Sequence, residues 1–408
     1  MSDKPAILIF APSVNGGIAE HTFYQARALA QAGARITCLV APSFLAGRTL
    51  AFATEVCLND PPREGGWRLR RHFILFWHLL ADRWRLAWHV WQARPDLVLL
   101  DSYVEYFSPF WIWPHWLLAR LRHTRYAANL HDPVRDHRVG PAWWHGLSVR
   151  LAYLPLKFVL VHHQLPEPSP VPKRVKVCEV PVGVYEVTPG TLNPRTLRND
   201  WQVPAGARVF LAFGYIRDNK NLDLVMKAMA GVPGVFLVVA GRESSSHSRP
   251  LKYYRDLAAS LGIADRVRFF DQFIADNEVA AYYAAADFIV LTYAASFVSQ
   301  SAVLNVAARL TKPVLASSGP GPLRNSVERF GLGVFVEPDS VPAIARGLRR
   351  LLAGDIPAPA WENYLAYASW RTNAAAILAE LREPGAATLS PLPGSAGLNR
   401  PSHPFSES

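Results

Sequence analysis

Two cations three residues apart, Arg217 and Lys220, mark the first place in this sequence where side chains could do chemistry. They lie in FLAFGYIRDNKN at 210–221, which reads as an apolar strand, Gly214, a polar turn and a helix opening at Asn221. The helix rests on Leu222, Val225 and Met229 at helical spacing, with Asn221 placed as a cap and Asp223 in the first turn. Turns at the C-terminal ends of parallel strands are where open α/β sheets take ligands. Two side-chain charges and a helix dipole together favour an anion there, and a diphosphate fits. A solvated basic turn would look the same in this stretch alone.

Three further stretches carry candidate chemistry. In YAASFVSQSAVLNVAARLTK at 293–312, Ser299 and Ser301 are good N-caps for a helix whose apolar face includes Val303, Val306 and Leu310. The first N–H groups of that helix, at Ser301, Ala302 and Val303, form a second anion site, so the two loops read as two sides of a diphosphate clamp. Ser299 and Gln300, just ahead of it, would face whatever the diphosphate carries. At 131–133 a strand ends in His131, Asp132 and Pro133, and His131 could donate or accept near neutral pH, although a histidine filling a polar loop reads the same way. Gly16 and Gly17 follow the first strand without forming GxGxxG, and they suit either close backbone approach to a ligand or a turn needing positive φ.

Composition bounds these readings. At 408 residues the chain is too long for one ordinary core, so two domains plus an appendage are expected. A net charge of +11 with 13 Trp points to anionic partners: nucleotide phosphates or an anionic membrane face. Nucleic acid is disfavoured, because zinc spacing and compact Lys/Arg runs are lacking. Cys38, Cys57 and Cys178 lie far apart, so neither a disulfide framework nor a metal site is implied and a reducing, cytoplasmic setting fits. The start MSDKP runs straight into a strand without a signal-peptide pattern, and no apolar run approaches the roughly 18 residues of a spanning helix.

The elements that must position these residues alternate strand and helix twice over. In the first half, strands are predicted at 6–10, 36–40, 97–100, 126–130, 158–161 and 175–180, with a helix from about 18 that stops near Gly33. Residues 187–204, polar with prolines, read as a linker. The second half predicts strands at 209–213, 236–240, 267–270, 288–291 and 314–316. The expected fold is therefore α/β, two Rossmann-like doubly wound domains facing across a cleft lined by strand ends. The divisions are 1–187, 188–358, a helix at 359–383 crossing back to the first domain, and a disordered tail at 384–408 rich in Pro, Ser and Gly.

One region stands apart. Leu69, Phe73, Phe76, Leu80, Trp84, Ala87 and Trp91 recur at helical spacing, accompanied by Arg68, Arg70, Arg71, Arg83 and Arg85. A basic, tryptophan-bearing amphipathic helix suits a membrane interface, and a connecting helix packed on the sheet with solvated arginines suits the pattern as well. The cluster SPFWIWPHWLLARLR at 108–122 shares its character.

Taken in order, these motifs resemble the GT-B glycosyltransferases, specifically the large retaining family called family 4. The resemblance spans about 5–382 and rests on the glycine loop at Gly16 and Gly17, HD at 131–132, PVGV at 181–184, RxxKN at 217–221, AAADFIVLTY at 284–293 and KPVLAS at 312–317. It implies an N-terminal domain that binds a glycan or lipid-linked acceptor and a C-terminal domain that binds a nucleoside-diphosphate sugar. Arg217 and Lys220 would hold the diphosphate without a metal or other cofactor, and His131 would lie beside the transferred sugar. A peripheral place on the inner membrane face follows.

One departure bears on the sugar. The family's E-x7-E glutamates fall on Val298 and Val306, so the carboxylate grip on the sugar hydroxyls is missing. SQSAVLNVA resembles a subset with S-x-S-G-V there, with Ala302 in place of the glycine. Two rivals stay open: a nucleotide-sugar epimerase of the same architecture, and an inactive homologue that binds nucleotide or a partner protein.

Overall fold

A computed structural model describes residues 4–62, 68–131, 140–162, 165, 169, 171–187, 190, 192–243 and 248–382, side chains of 68–69 excepted. Asp132 and the expected tail at 384–408 lie outside them.

Apolar runs flanked by turns build the first sheet from β1 (Ala6–Ala11), β2 (Arg35–Val40), β3 (Ala53–Val56), β4 (Leu97–Leu100), β5 (Arg125–Leu130), β6 (Leu156–Val161) and β7 (Lys176–Glu179). All neighbours pair parallel, in the order β3-β2-β1-β4-β5-β6-β7. Four helices cover it: α1 (Gly16–Gln31), α2 (Arg68–Ala93), α3 (Ser108–Leu121) and α4 (Ala142–Ala152). Strand β4 is buried at every position, as a sheet covered on both faces requires.

The second sheet repeats the plan with β8 (Arg208–Phe213), β9 (Val235–Ala240), β10 (Val267–Phe270), β11 (Phe288–Thr292), β12 (Val314–Ser317) and β13 (Gly333–Phe335), ordered β10-β9-β8-β11-β12-β13. Its helices are α5 (Pro194–Asp200), α6 (Leu222–Ala230), α7 (Leu251–Ser260), α8 (Asp276–Ala285), α9 (Ala302–Arg309), α10 (Pro322–Phe330) and α11 (Val341–Leu352). In both sheets the chain winds outward one way, returns to the middle and winds the other way. The switch points fall between β1 and β4 and between β8 and β11, and ligand crevices open outside the strand ends there.

Four expectations need correction. The expected linker contains α5, whose C-terminal neighbour Trp201 is 1% exposed in the second core. The single C-terminal helix is two: α12 (Trp361–Tyr367) packs on α9 and α10, and α13 (Trp370–Arg382) packs on α1 of the first domain. There Ala374, Ile377 and Leu378 join the first core, Lys176 Nζ meets Glu380 Oε1 at 2.7 Å, and Arg125 donates to the terminal carbonyls of Glu380 and Leu381.

Helix α2 packs through a stripe other than the aromatic one, against the reading that put that stripe on the sheet with its arginines solvated. Leu86, Ala87 and Val90 face the core together with Asp82 and Arg83, while Phe73, Trp84 and Trp91 are exposed. Arg83 is not solvated: its guanidinium lies 4.5 Å from the Trp111 ring centre and 4.7 Å from that of Phe10, and burial pushes its pKa down to about 10. Asn221 does not cap α6; it sits at φ 52 and its amide donates to Asp339 Oδ1 at 2.7 Å.

Candidate functional site

At the switch point of the first sheet, β4 ends in Asp101, whose N–H continues the ladder to Phe10 O. The side chain is wholly buried and collects donors from two elements: His21 Nδ1 at 3.0 Å and Thr22 Oγ1 from α1, and Asn129 Nδ2 at 3.3 Å from β5. Burial opposes its ionisation, but the bonds from His131 and His21 and their fields prevail and hold the carboxyl well below the usual range. His21 is shifted down by burial, with Asp101 pulling the other way. Gln25 and Asn129 exchange amide bonds beneath, and Gln25 Nε2 reaches Asn373 Oδ1 on α13 at 2.9 Å.

His131 follows β5 directly, and its Nε2 lies 3.1 Å from the backbone oxygen of Asp101. It thus stands at the mouth of the crevice, as its place at a strand end suggested. His162 follows β6 in the same way, with Nδ1 3.1 Å from Val180 O. Gly16 opens α1 at φ +75, a conformation that only glycine adopts cheaply, and among the described residues a Cβ there would meet nothing within 4 Å. Backbone geometry, not crowding, fixes this glycine.

At the switch point of the second sheet, Lys220 folds back so that Nζ donates to Phe213 O, the last residue of β8, at 2.7 Å. Burial, then the neighbouring Arg217, push its pKa down to about 8. Arg217 starts a 3-10 turn at 218–220, with its guanidinium 5.5 Å from the Tyr215 ring centre. The opposing loop is tied to this turn: Ala294 N donates to Asn219 O at 2.8 Å, Thr292 Oγ1 to Lys220 O at 3.1 Å, and Asp339 accepts from both Asn221 and Ala295 N. Tyr293 stacks on Phe297 at 3.9 Å, and its hydroxyl lies 3.1 Å from Ser301 Oγ. Burial raises that phenol's pKa, and Arg217 is close enough to pull against the rise.

Ser301 stands at the N-cap position of α9, but its hydroxyl makes no capping bond, because Tyr293 takes it. Ala302 and Val303 begin the helix as expected. Ser299 is half-buried in the same loop. Gln300 is directed toward the seam between the domains: Nε2 lies 3.1 Å from Tyr364 OH, which in turn donates to Asn305 Oδ1 at 2.6 Å. It lines a seam cavity of about 40 Å³ with His162, Val182, Asn325 and Arg329.

The PVGV segment forms that seam. Val184 N donates to Ala368 O at 2.8 Å, Asn373 Nδ2 donates to Pro181 O at 3.1 Å, and a Cβ on Gly183 would stand 2.3 Å from the Trp370 ring. Only a glycine lets the two crossings lie this close.

Sequence reasoning singled out Arg217, Lys220, His131 and the α9 start as candidates, and passed over Asp101, His21 and His162. Asp101 and His162 each follow a parallel strand without a break, the signal that had selected His131. His21 lies on α1, four residues beyond Gly17, and only the fold brings it to them.

Comparisons with known proteins fit this architecture. Residues 194–366, within the second domain, match the family model described as Glycosyl transferases group 1. A D-inositol 3-phosphate glycosyltransferase of Mycobacteroides abscessus is 30% identical over 162 residues, 40% of this chain and 35% of that protein. The protein of the same name from Mycobacterium tuberculosis H37Ra is 28% identical over 218 residues, 52% of this chain and 44% of its own. The chain thus spans less than half the length of these curated relatives. Among solved structures, a glycosyltransferase from Rickettsia africae superposes with a TM-score of 0.66 at 14% identity, covering 93% of this chain and 98% of that one. Anabaena Alr3699/HepE in complex with UDP-glucose gives 0.61 at 17% identity, covering 92% and 98%. The fold is that of the GT-B glycosyltransferases.

Proposed function

We propose that this protein is a retaining glycosyltransferase of the family 4 type that carries a sugar from a nucleoside diphosphate to a glycan or lipid-linked acceptor at a membrane face. The observation that carries the reading is that the turn bearing Arg217 and Lys220 is tied by Ala294 and Thr292 to the loop whose Tyr293 holds Ser301 at the start of α9, at the switch point of the domain that matches the glycosyltransferase group 1 model. Fixed cations and helix N–H groups stabilise negative charge as it develops on a leaving diphosphate, so transfer proceeds without a metal on the phosphates. His131, across the crevice, contacts the transferred sugar, and Asp101 fixes its ring. Retention follows the family that the sequence resembles. UDP-glucose, bound by the Anabaena neighbour, is the first donor to try.

The membrane part rests on a surface patch. Phe73, Trp77, Trp84 and Trp88 on α2, Phe110 and Trp113 on α3 and Trp143 on α4 are each at least half exposed. Contacts join the helices beneath them: Phe76 meets Phe107 and Phe110, Phe110 meets Trp144, and Arg122 lies over Trp91. Exposed aromatics interleaved with Arg70, Arg71 and Arg85 suit the headgroup layer of anionic lipid. Among the described residues no helix is long and apolar enough to cross a membrane.

Two measurements test the reading. Incubation with UDP-, GDP- and ADP-sugars and a lipid extract should release nucleotide with one donor; release with none identifies an inactive binding homologue instead. Flotation with anionic vesicles should weaken with added salt and with Arg70→Gln/Arg71→Gln, and insensitivity to both would remove the membrane from the proposal.

A further inference from the structure

The three histidines His21, His131 and His162 have no counterpart in the clamp chemistry. One ring nitrogen of each lies within 4.8 Å of one from each of the others, and the ring centres are 4.6 to 5.3 Å apart. Their outer bonds fix which nitrogens hold lone pairs. A carbonyl or carboxylate oxygen only accepts, so His21 Nδ1 donates to Asp101 Oδ1, His131 Nε2 to Asp101 O and His162 Nδ1 to Val180 O. In the neutral rings this leaves the lone pairs on His21 Nε2, His131 Nδ1 and His162 Nε2.

A metal-binding histidine has this arrangement: its other nitrogen donates to a carboxylate or backbone carbonyl, which orients the ring and raises its basicity. A second observation points the same way. His21 is 2% exposed, yet among the described residues its Nε2 has no hydrogen-bond partner, an arrangement that buried polar atoms normally avoid.

We propose that His21, His131 and His162 form a binding site for a divalent transition-metal ion of the zinc class. Imidazole nitrogens suit Zn²⁺, Co²⁺, Ni²⁺ and Cu²⁺ and disfavour Mg²⁺ and Ca²⁺. Zn–N bonds of about 2.1 Å put tetrahedral ligands roughly 3.4 Å apart, so the rings must turn inward to close on an ion. The ionised Asp101 behind two of the rings offsets part of the ion's charge. His131, 20% exposed against 2% for His21, gives the way in and leaves a fourth position toward the crevice. Such an ion is distinct from any on the phosphates of a donor, and it competes with other uses of His131.

The full chain, stripped with chelator and titrated with Co²⁺ alone, tests the site. The expected result is saturation at one equivalent with the visible absorption of a four- or five-coordinate ion, erased when Zn²⁺ displaces it. His21→Ala and His162→Gln should each weaken binding at least about 100-fold, while Cys57→Ser leaves it unchanged. Asp101→Asn, acting through His21, should weaken it by about 10- to 100-fold. Circular dichroism screens each variant for folding, and His131→Asn, at the most open ligand, replaces any that fails. Absence of one-equivalent binding, or titrations unchanged in the histidine variants, would overturn the proposal and leave the cluster a hydrogen-bond network.

Discussion

At the switch point of the first sheet a carboxylate is wholly buried, with donors from α1 and β5 closing on it. At the matching point of the second sheet a lysine reaches back to a carbonyl of its own strand, beside an arginine on an exposed turn. The same topology thus supports two kinds of strand end. At the first, the carboxylate's own charge is matched from within by neighbouring donors, so it positions the side chains around it. The second, among the described residues, gives Lys220 no carboxylate partner, and on the proposed reading an incoming anion supplies the missing charge. On that reading rigidity belongs to the acceptor side of the crevice and affinity to the donor side.

The largest effect expected from this contrast is on stability. Asp101→Ala strands His21, Thr22 and Asn129 in the core and should cost about 3–5 kcal/mol in urea unfolding. A loss below 1 kcal/mol would mean that the hub is no more than a surface pair. Lys220→Ala should not lower stability at neutral pH, where the buried charge is itself a cost, but should weaken UDP binding by about 1.5–3 kcal/mol in calorimetry, and Arg217→Ala should weaken that binding similarly. Equal affinity in both variants and the parent would place the phosphates elsewhere.

Protonation sharpens the second half of the comparison. With its pKa pushed down to about 8 from 10.5, Lys220 is charged below that value, so UDP affinity should hold at lower pH and fall as pH rises through 8. The linked stability runs the other way, because the unfolded chain keeps this proton longer and stability gains between pH 8 and 10.5. Lys220→Arg should remove the inflection in affinity; an inflection that persists belongs to another group. The smallest effect is at the seam. Gln300→Ala should lower transfer by about 1 kcal/mol and leave UDP affinity nearly intact, and equal losses in both would move Gln300 into the phosphate site.

Much of this was legible in the sequence because buried parallel strands are unbroken apolar runs, and residues at their ends mark the crevice. The strands β3, with ATEV half polar, and β13, only GVF, are too short and weak to announce themselves. The face of α2 was misread because its sequence carries two stripes. The one rich in tryptophan suited a membrane interface or a packed helix alike, whereas the one that packs carries Asp82, which accepts from Asn59, and Arg83, whose guanidinium lies over aromatic rings. Ser301 looked like a cap, but a tyrosine eight residues earlier claims its hydroxyl. The histidine cluster escaped because its members stand at 21, 131 and 162, on elements that only the sheet order makes neighbours.

The polypeptide passes between the two domains twice, and the passages are pinned to each other by the bond from Val184 N to Ala368 O, with Gly183 lying flat against Trp370. Two bodies joined by one strand can swivel in any direction; joined by two adjacent strands, they behave like leaves on a hinge pin. Relative motion reduces to opening and closing about the line through 184 and 368, with twisting and sliding resisted. Arg217 and Lys220 belong to one leaf and His131 to the other. Their separation therefore becomes a single mechanical coordinate, set by one angle.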